Sequence, residues 1–163
     1  MENLSFDLLG GFFNLRVGAI VLRENCLLVV KNSGEDFYYT VGGRVQLGES
    51  SCEAVLREAY EETGLPLKID RLAFIHENFF FDAQRKKPFH EICFFYLMKP
   101  HKELDKLQAT FQEEYGQVSF HWLPINELKN QIHYPKFLSS QLHNIPKTPT
   151  HIITQDPPQN IPN

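Results

Sequence analysis

The segment running from Ser50 to Pro66 constrains this chain more than any other, because it carries its own start and stop signals. Ser50 or Ser51 can accept a hydrogen bond from the unpaired amides of a first helical turn, and Gly64 followed by Leu65 and Pro66 ends the run. A helix to about Thr63 is predicted. Successive side chains turn by about 100° around a helix axis, so Cys52, Val55, Leu56, Ala59 and Thr63 make an apolar face able to pack on a sheet. Glu58, Glu61 and Glu62, at i, i+3 and i+4, share another stripe with only the small Ser51 and Ala54 among them. Like charges at these spacings cost a helix a few tenths of a kcal/mol per pair, and Arg57 screens only part of that. A hard divalent cation would reverse the penalty, and oxygen-only ligands suit Mg²⁺ or Mn²⁺. A solvated acidic face is the ordinary reading of a Glu-Glu pair, so the neighbouring residues have to decide.

Around this helix the pattern is mostly that of strands. Residues 17–22 and 26–30 are apolar, β-rich runs joined by the polar turn Arg23-Glu24-Asn25, a hairpin signal. A short aromatic strand over 37–41 runs into Gly42-Gly43. Further strands are expected over 67–81, with a break near Asp70-Arg71, over 91–98 after a charged loop at 82–88, and over 120–123. Pro124 and Pro135 are placed to open short helices ending near Lys129 and Leu142. The reading is one domain over 1–145, followed by a Pro-rich extended tail over 146–163 in place of a core element.

Gly42-Gly43 allows backbone to approach an ion or phosphate closely, because glycine has no Cβ to block it. By itself that is a turn signal. Gly43, five residues, Glu49, seven residues, then Arg57-Glu58-Ala59-Tyr60-Glu61-Glu62-Thr63-Gly64-Leu65 reproduces every fixed position of the Nudix box. In this the chain resembles the Nudix hydrolase family, and the order of its elements resembles that family's α/β/α sandwich around a mixed β-sheet, an α/β (α+β) fold. The resemblance implies a Mg²⁺-dependent enzyme, with Mn²⁺ as a substitute, that hydrolyses a phosphoanhydride bond in a nucleoside diphosphate derivative. It implies metal ligation by Glu58, Glu61, Glu62 and the Gly43 carbonyl, and an Arg57 that orients a carboxylate, with Glu49 as partner. For the base that takes the water's proton, Glu58 ranks first and the Glu113-Glu114 pair second. One departure is Val41, where the family commonly has proline; it removes no functional group.

The box handles a diphosphate and does not name the rest of the substrate. Segments that mark ADP-ribose, diadenosine polyphosphate or coenzyme A specificity in relatives are absent, and Phe79-Phe80-Phe81 stands where the first two would fall. Tyr39, Phe79 and Phe81 are candidates for stacking on a base, although core packing is the commoner fate of strand aromatics. Arg44, directly after the glycines, is a further candidate substrate contact. His76, His90 and His121 are read as structural before catalytic.

Composition excludes several other classes. The formal net charge of −4 and the shortness of basic clusters such as Arg85-Lys86-Lys87 disfavour a nucleic-acid polymer as partner. Acidic Glu2 and Asp7 stand where an export signal would be basic, and no apolar run approaches the roughly 18 residues of a membrane span. Cys26, Cys52 and Cys93 show neither ligand spacing nor an obvious pairing, which fits a reducing cytoplasm. The resemblance also admits a homodimer with the Pro-rich tail lying across a neighbour. The rival reading is a Nudix-like module that senses a nucleotide without cleaving it, but the complete acidic set and the lack of a helix-turn-helix or basic appendage argue against it. Isomerase chemistry on a diphosphate ester would want a cysteine and a glutamate over the substrate, and none of the three cysteines can be placed there.

Overall fold

The computed structural model describes residues 2–107, 110–113 and 116–156. The strands are β1 (Ser5–Leu8), β2 (Gly11–Ile20), β3 (Leu22–Arg23), β4 (Cys26–Asn32) and β5 (Tyr38–Arg44). Helix α1 (Ser51–Thr63) follows, then β6 (Ile69–Asp82), β7 (Lys87–Met98), β8 (Thr110–Glu113), β9 (Gly116–Pro124), β10 (His133–Tyr134), helix α2 (Leu138–Gln141) and β11 (Thr150–Gln155). One sheet connects them in the order β11-β6-β7-β2-β5-β4-β9-β8, with β1, β3 and β10 attached to β2, β4 and β5. It is mixed: β2 runs parallel to β7 and β11 parallel to β6, while the other neighbours along this path are antiparallel.

Alternation along the central strands divides the apolar residues between two cores. On β4, Leu28 and Val30 enter a cluster with Val17, Ala19 and Val41 that also holds Ala54, Val55 and Ala59 of α1. Leu27 and Val29 point the other way, into a cluster with Ile20, Phe74 and Phe95 that also holds Leu128, Leu138 and Leu142. A strand covered on both faces reads as a continuous apolar run, which is why 26–30 lacks a polar alternation. The result is the expected α/β/α sandwich on a mixed sheet, with α1 on one face and the short helices after β9 on the other.

Several elements differ from the expectation. β1 and the first half of β2 carried no recognised signal, because Leu9-Gly10 breaks their apolar pattern at the turn between them, whereas the run expected over 17–22 is divided between the end of β2 and β3. The segment after Pro124 is a 3₁₀ helix over Ile125–Asn130, and α2 is a single turn continued as 3₁₀ through Asn144. β6 and β7 form one long hairpin, since the Asp82 side chain accepts hydrogen bonds from the amides of Gln84 and Arg85 and shortens the loop to a tight turn. The break near Asp70-Arg71 takes the form of register shifts between Ile69 and Phe74, within a strand that otherwise continues. Inside the Pro-rich stretch, Thr150–Gln155 is extended and hydrogen-bonds along β6 from Phe74 to Phe79, forming the sheet's edge. No helix of the described residues is long and apolar enough to cross a membrane.

Candidate functional site

Helix α1 begins at a complete capping box, in which the Ser50 side chain accepts from the Glu53 amide and the Glu53 carboxylate accepts from the Ser50 amide. It ends at Gly64, left-handed at φ 68°, whose amide reaches the Tyr60 carbonyl. The buried positions are Ala54, Val55, Ala59 and Thr63, whereas Cys52 and Leu56 are exposed. The face turned to the sheet is therefore rotated from the apolar stripe expected, and Glu58 and Glu62 sit within it. Half-burying carboxylates there is possible because the strand beneath offers glycines.

Two different contacts require those glycines. Gly42 adopts φ 147°, and a Cβ on it would collide with the Val17 carbonyl of β2. At Gly43 a Cβ would overlap the carboxylate of Glu58, so the acid lies directly on the backbone. Glu62 is beside it, and its Oε1 accepts from the Gly42 amide at 3.3 Å. The missing Cβ at Gly43 thus admits a carboxylate, a more direct use than the approach of an ion or phosphate to bare backbone.

Arg57 ties the cluster together. Its Nε donates to Glu49 Oε1 at 2.7 Å and its Nη2 to Glu49 Oε2 at 3.0 Å, a two-pronged pair, while Nη2 also reaches the Arg44 carbonyl at 3.0 Å. Its Nη1 donates to Glu58 Oε1 and to Glu61 Oε2, both at 2.9 Å. The Arg57 hydrogen bond, opposed by burial and aided by the Gln46 amide, holds the Glu49 carboxyl below its ordinary value. The same Glu49 contact raises the Arg57 guanidinium. Glu61 is the most exposed of the acids at 55%, against 18% for Glu58. Among the described residues no three acidic, histidine or cysteine side chains are grouped closely enough to hold a metal ion, and the Arg57 Nη1 bonds both Glu58 and Glu61.

The other expected site residues fall at varying distances from this cluster. Arg44 follows the glycine pair on β5. Tyr39 borders the core beneath α1. Phe79 lies against the His90 ring at 4.4 Å on β6, and Phe81 is on the same strand, with β7 and β2 standing between β6 and the glycines. Glu113 ends β8, and Glu114 lies outside the described residues. His76 is 3% exposed and hydrogen-bonds Thr154 at 2.7 Å, and burial lowers its pKa to about 4, so it is a neutral packing group. A cavity of about 380 Å³ opens at the carboxyl end of α1, lined by Glu61, Glu62, Leu65, Lys106, Leu107 and Phe120 among others. Arg16 was not anticipated. It stands opposite Arg44 across the β2/β5 ladder, and the one signal for it was an arginine abutting an apolar run.

The NUDIX domain profile matches residues 13–141. Over 49 residues the chain is 43% identical to the NAD-capped RNA hydrolase NudC of Actinobacillus succinogenes, covering 30% of this chain and 19% of that protein. A MutT-like protein of Streptomyces ambofaciens is 30% identical over 61 residues, covering 37% of this chain and 40% of that protein. These matches span less than half the length of either relative. The crystal structure of the MutT protein from Bacillus halodurans superposes with a TM-score of 0.62 at 20% identity, covering 87% of this chain and 90% of that one, a likeness of fold. With the profile running from β2 to the end of α2, the chain belongs to the NUDIX family.

Proposed function

We propose that this protein is a metal-dependent hydrolase of the phosphoanhydride bond in a nucleoside diphosphate joined to another group, such as a nucleotide sugar, an ADP-ribose-like compound or a nucleoside triphosphate. The observation that carries the reading is the seat of Glu58 on Gly43: a carboxylate held where only a glycine leaves room, beside Glu62 at the Gly42 amide. Family membership and the hydrolase relative give it further support.

The donor set fits a hard divalent cation, since Glu58, Glu61, Glu62 and the Gly43 carbonyl offer oxygen alone. When bound, Mg²⁺, or Mn²⁺ in its place, would neutralise the diphosphate and lower the pKa of the attacking water. Glu58 is the group to take the proton from an attacking water as its oxygen adds to phosphorus and the bridging P–O bond breaks; Glu114 is the alternative base. Arg57 would keep Glu49 as its fixed partner while Glu58 and Glu61 would turn to the ion, so one guanidinium orients the acids and offsets part of their charge beforehand. Tyr39, Phe79 and Phe81 are the candidate contacts for the remainder of the substrate, and Arg44 is a further candidate substrate contact. The partner is a small molecule, and the unbonded cysteines Cys26, Cys52 and Cys93 suit a reducing cytoplasm.

A panel of nucleoside diphosphates linked to sugar, nucleoside or phosphate, assayed for product with Mg²⁺, Mn²⁺ and chelator, tests this. Metal-dependent cleavage of at least one member is expected. Cleavage that survives the chelator would contradict the mechanism, and tight nucleotide binding without product would make the domain a sensor.

A further inference from the structure

On the face of β2 and β5 turned away from α1, charge is arranged in the opposite sense. Arg16 and Arg44 are directly paired across the antiparallel ladder, a position that brings like charges side by side at a cost. Arg16 is compensated: Glu91 lies 4.0 Å away, and it is held by Asn14, which donates to Glu91 at 2.7 Å and is itself held by Ser5. Arg44 is not. Its guanidinium has no hydrogen bond or ion pair within 4 Å among the described residues, and its Nε is buried without an acceptor. Burial, then Arg16, then Arg85 all press its pKa downward, with Glu91 and Glu58 opposing more weakly. Arg85, the third cation, sits over the rings of Phe12 and Phe89 at 5.1 and 5.5 Å.

A buried guanidinium donor with no acceptor, beside a second guanidinium whose direction is fixed by Glu91, is a combination that folding alone does not favour. An anion placed between the two would satisfy the orphaned donor and remove the repulsion together. Planar guanidinium forks match phosphate oxygens in pairs. The site adjoins Glu58 through Arg44, whose carbonyl Arg57 binds and whose preceding residue carries the Glu58 seat.

We infer that Arg16 and Arg44 form a phosphate subsite that holds the phosphoryl group of the substrate lying away from the acidic helix. This rests on the proposed function for the substrate's identity as a diphosphate. The subsite makes the strand pair two-sided: acids toward one phosphorus, guanidinium groups toward the other.

The test is titration calorimetry of the whole chain with methylenediphosphonate, a diphosphate that cannot be hydrolysed, in Mg²⁺. Wild type is compared with R16Q, R44Q and R23Q, the last a control because Arg23 pairs with Asp105 and covers Trp122 instead. Affinity should fall about tenfold or more in R16Q and R44Q, and stay unchanged in R23Q. Thermal unfolding without the diphosphonate should show R44Q at least as stable as wild type, because an uncompensated charge has been removed; a structural arginine would leave the variant weakened. No binding to wild type, equal binding to R44Q, or an equal loss in R23Q would overturn the subsite. The two proposals fail separately: hydrolysis that keeps its KM in R16Q and R44Q removes the subsite alone, while diphosphonate binding without hydrolysis of any substrate removes the hydrolase alone.

Discussion

The two faces of the β2/β5 strand pair solve the problem of buried charge in different ways. On the α1 side, Arg57 bridges Glu49, Glu58 and Glu61 and offsets one of their three negative charges, so the cluster stays anionic but each of these acids has a partner. On the far side, Glu91 satisfies Arg16 but Arg44 keeps a buried donor without an acceptor. The acidic cluster is fully bridged without a partner, but Arg57 must let go of two of its acids for a cation to be accepted. The arginine pair costs stability until an anion arrives to meet the donor left without an acceptor. Pairing the two on one pair of strands divides the work between holding acids in place and drawing in an anion.

Substitutions on the acidic face should have the largest effects. Glu58→Gln should lower turnover by about 10²-fold to 10⁴-fold while leaving the thermal midpoint near wild type; near-normal turnover on a good substrate would remove Glu58 from the chemistry. Gly43→Ala places a Cβ into the Glu58 carboxylate and should cost about 10²-fold in kcat by displacing it. Full activity in that variant would mean that the seat is incidental. Glu49→Gln, which breaks the two-pronged pair but touches no substrate, should cost about tenfold in activity or metal affinity. It should also flatten the acid limb of stability. Because the folded pKa of Glu49 is depressed, its contribution is present above the ordinary value of 4.5 and is lost as pH falls through the folded value. Equal acid profiles for variant and wild type would show that Arg57 does not depend on it.

The smallest effect belongs to the far face, at His76. Between the ordinary value of 6.5 and about 4 the unfolded chain binds a proton that the fold refuses, so stability falls as pH drops through that window. At pH 5 the loss should reach up to about 2 kcal/mol, and His76→Gln should remove that slope. A wild-type unfolding midpoint that is flat from pH 7 to 5 would contradict it.

The same contrast explains what could be read in the sequence. Everything on the acidic face comes from a short contiguous stretch, so helical spacing, a capping serine and paired glycines exposed the cluster before any tertiary contact was known. The rotation of α1 could not be read that way, because which stripe faces inward depends on what the strand beneath will accept. Two glycines accept carboxylates there, so Cys52 and Leu56 are left outside. On the far face Arg16, Arg44 and Glu91 come from three strands, and only the register of β2 against β5 and β7 brings them together. Strand β11 was hidden because proline suggests a tail and its own exposure pattern is nearly that of one.

That last strand has a role unrelated to chemistry. Without Thr150–Gln155, the fourteen-residue β6 would present a long row of bare amides and carbonyls to other molecules, the sort of template on which foreign chains add. With it in place the outermost strand is six residues long and is followed in the sequence by Pro157 and Pro158, which cannot donate to a further neighbour. Shortening the chain before Thr150 would therefore shift its failure mode from unfolding toward self-association, even with every catalytic group intact.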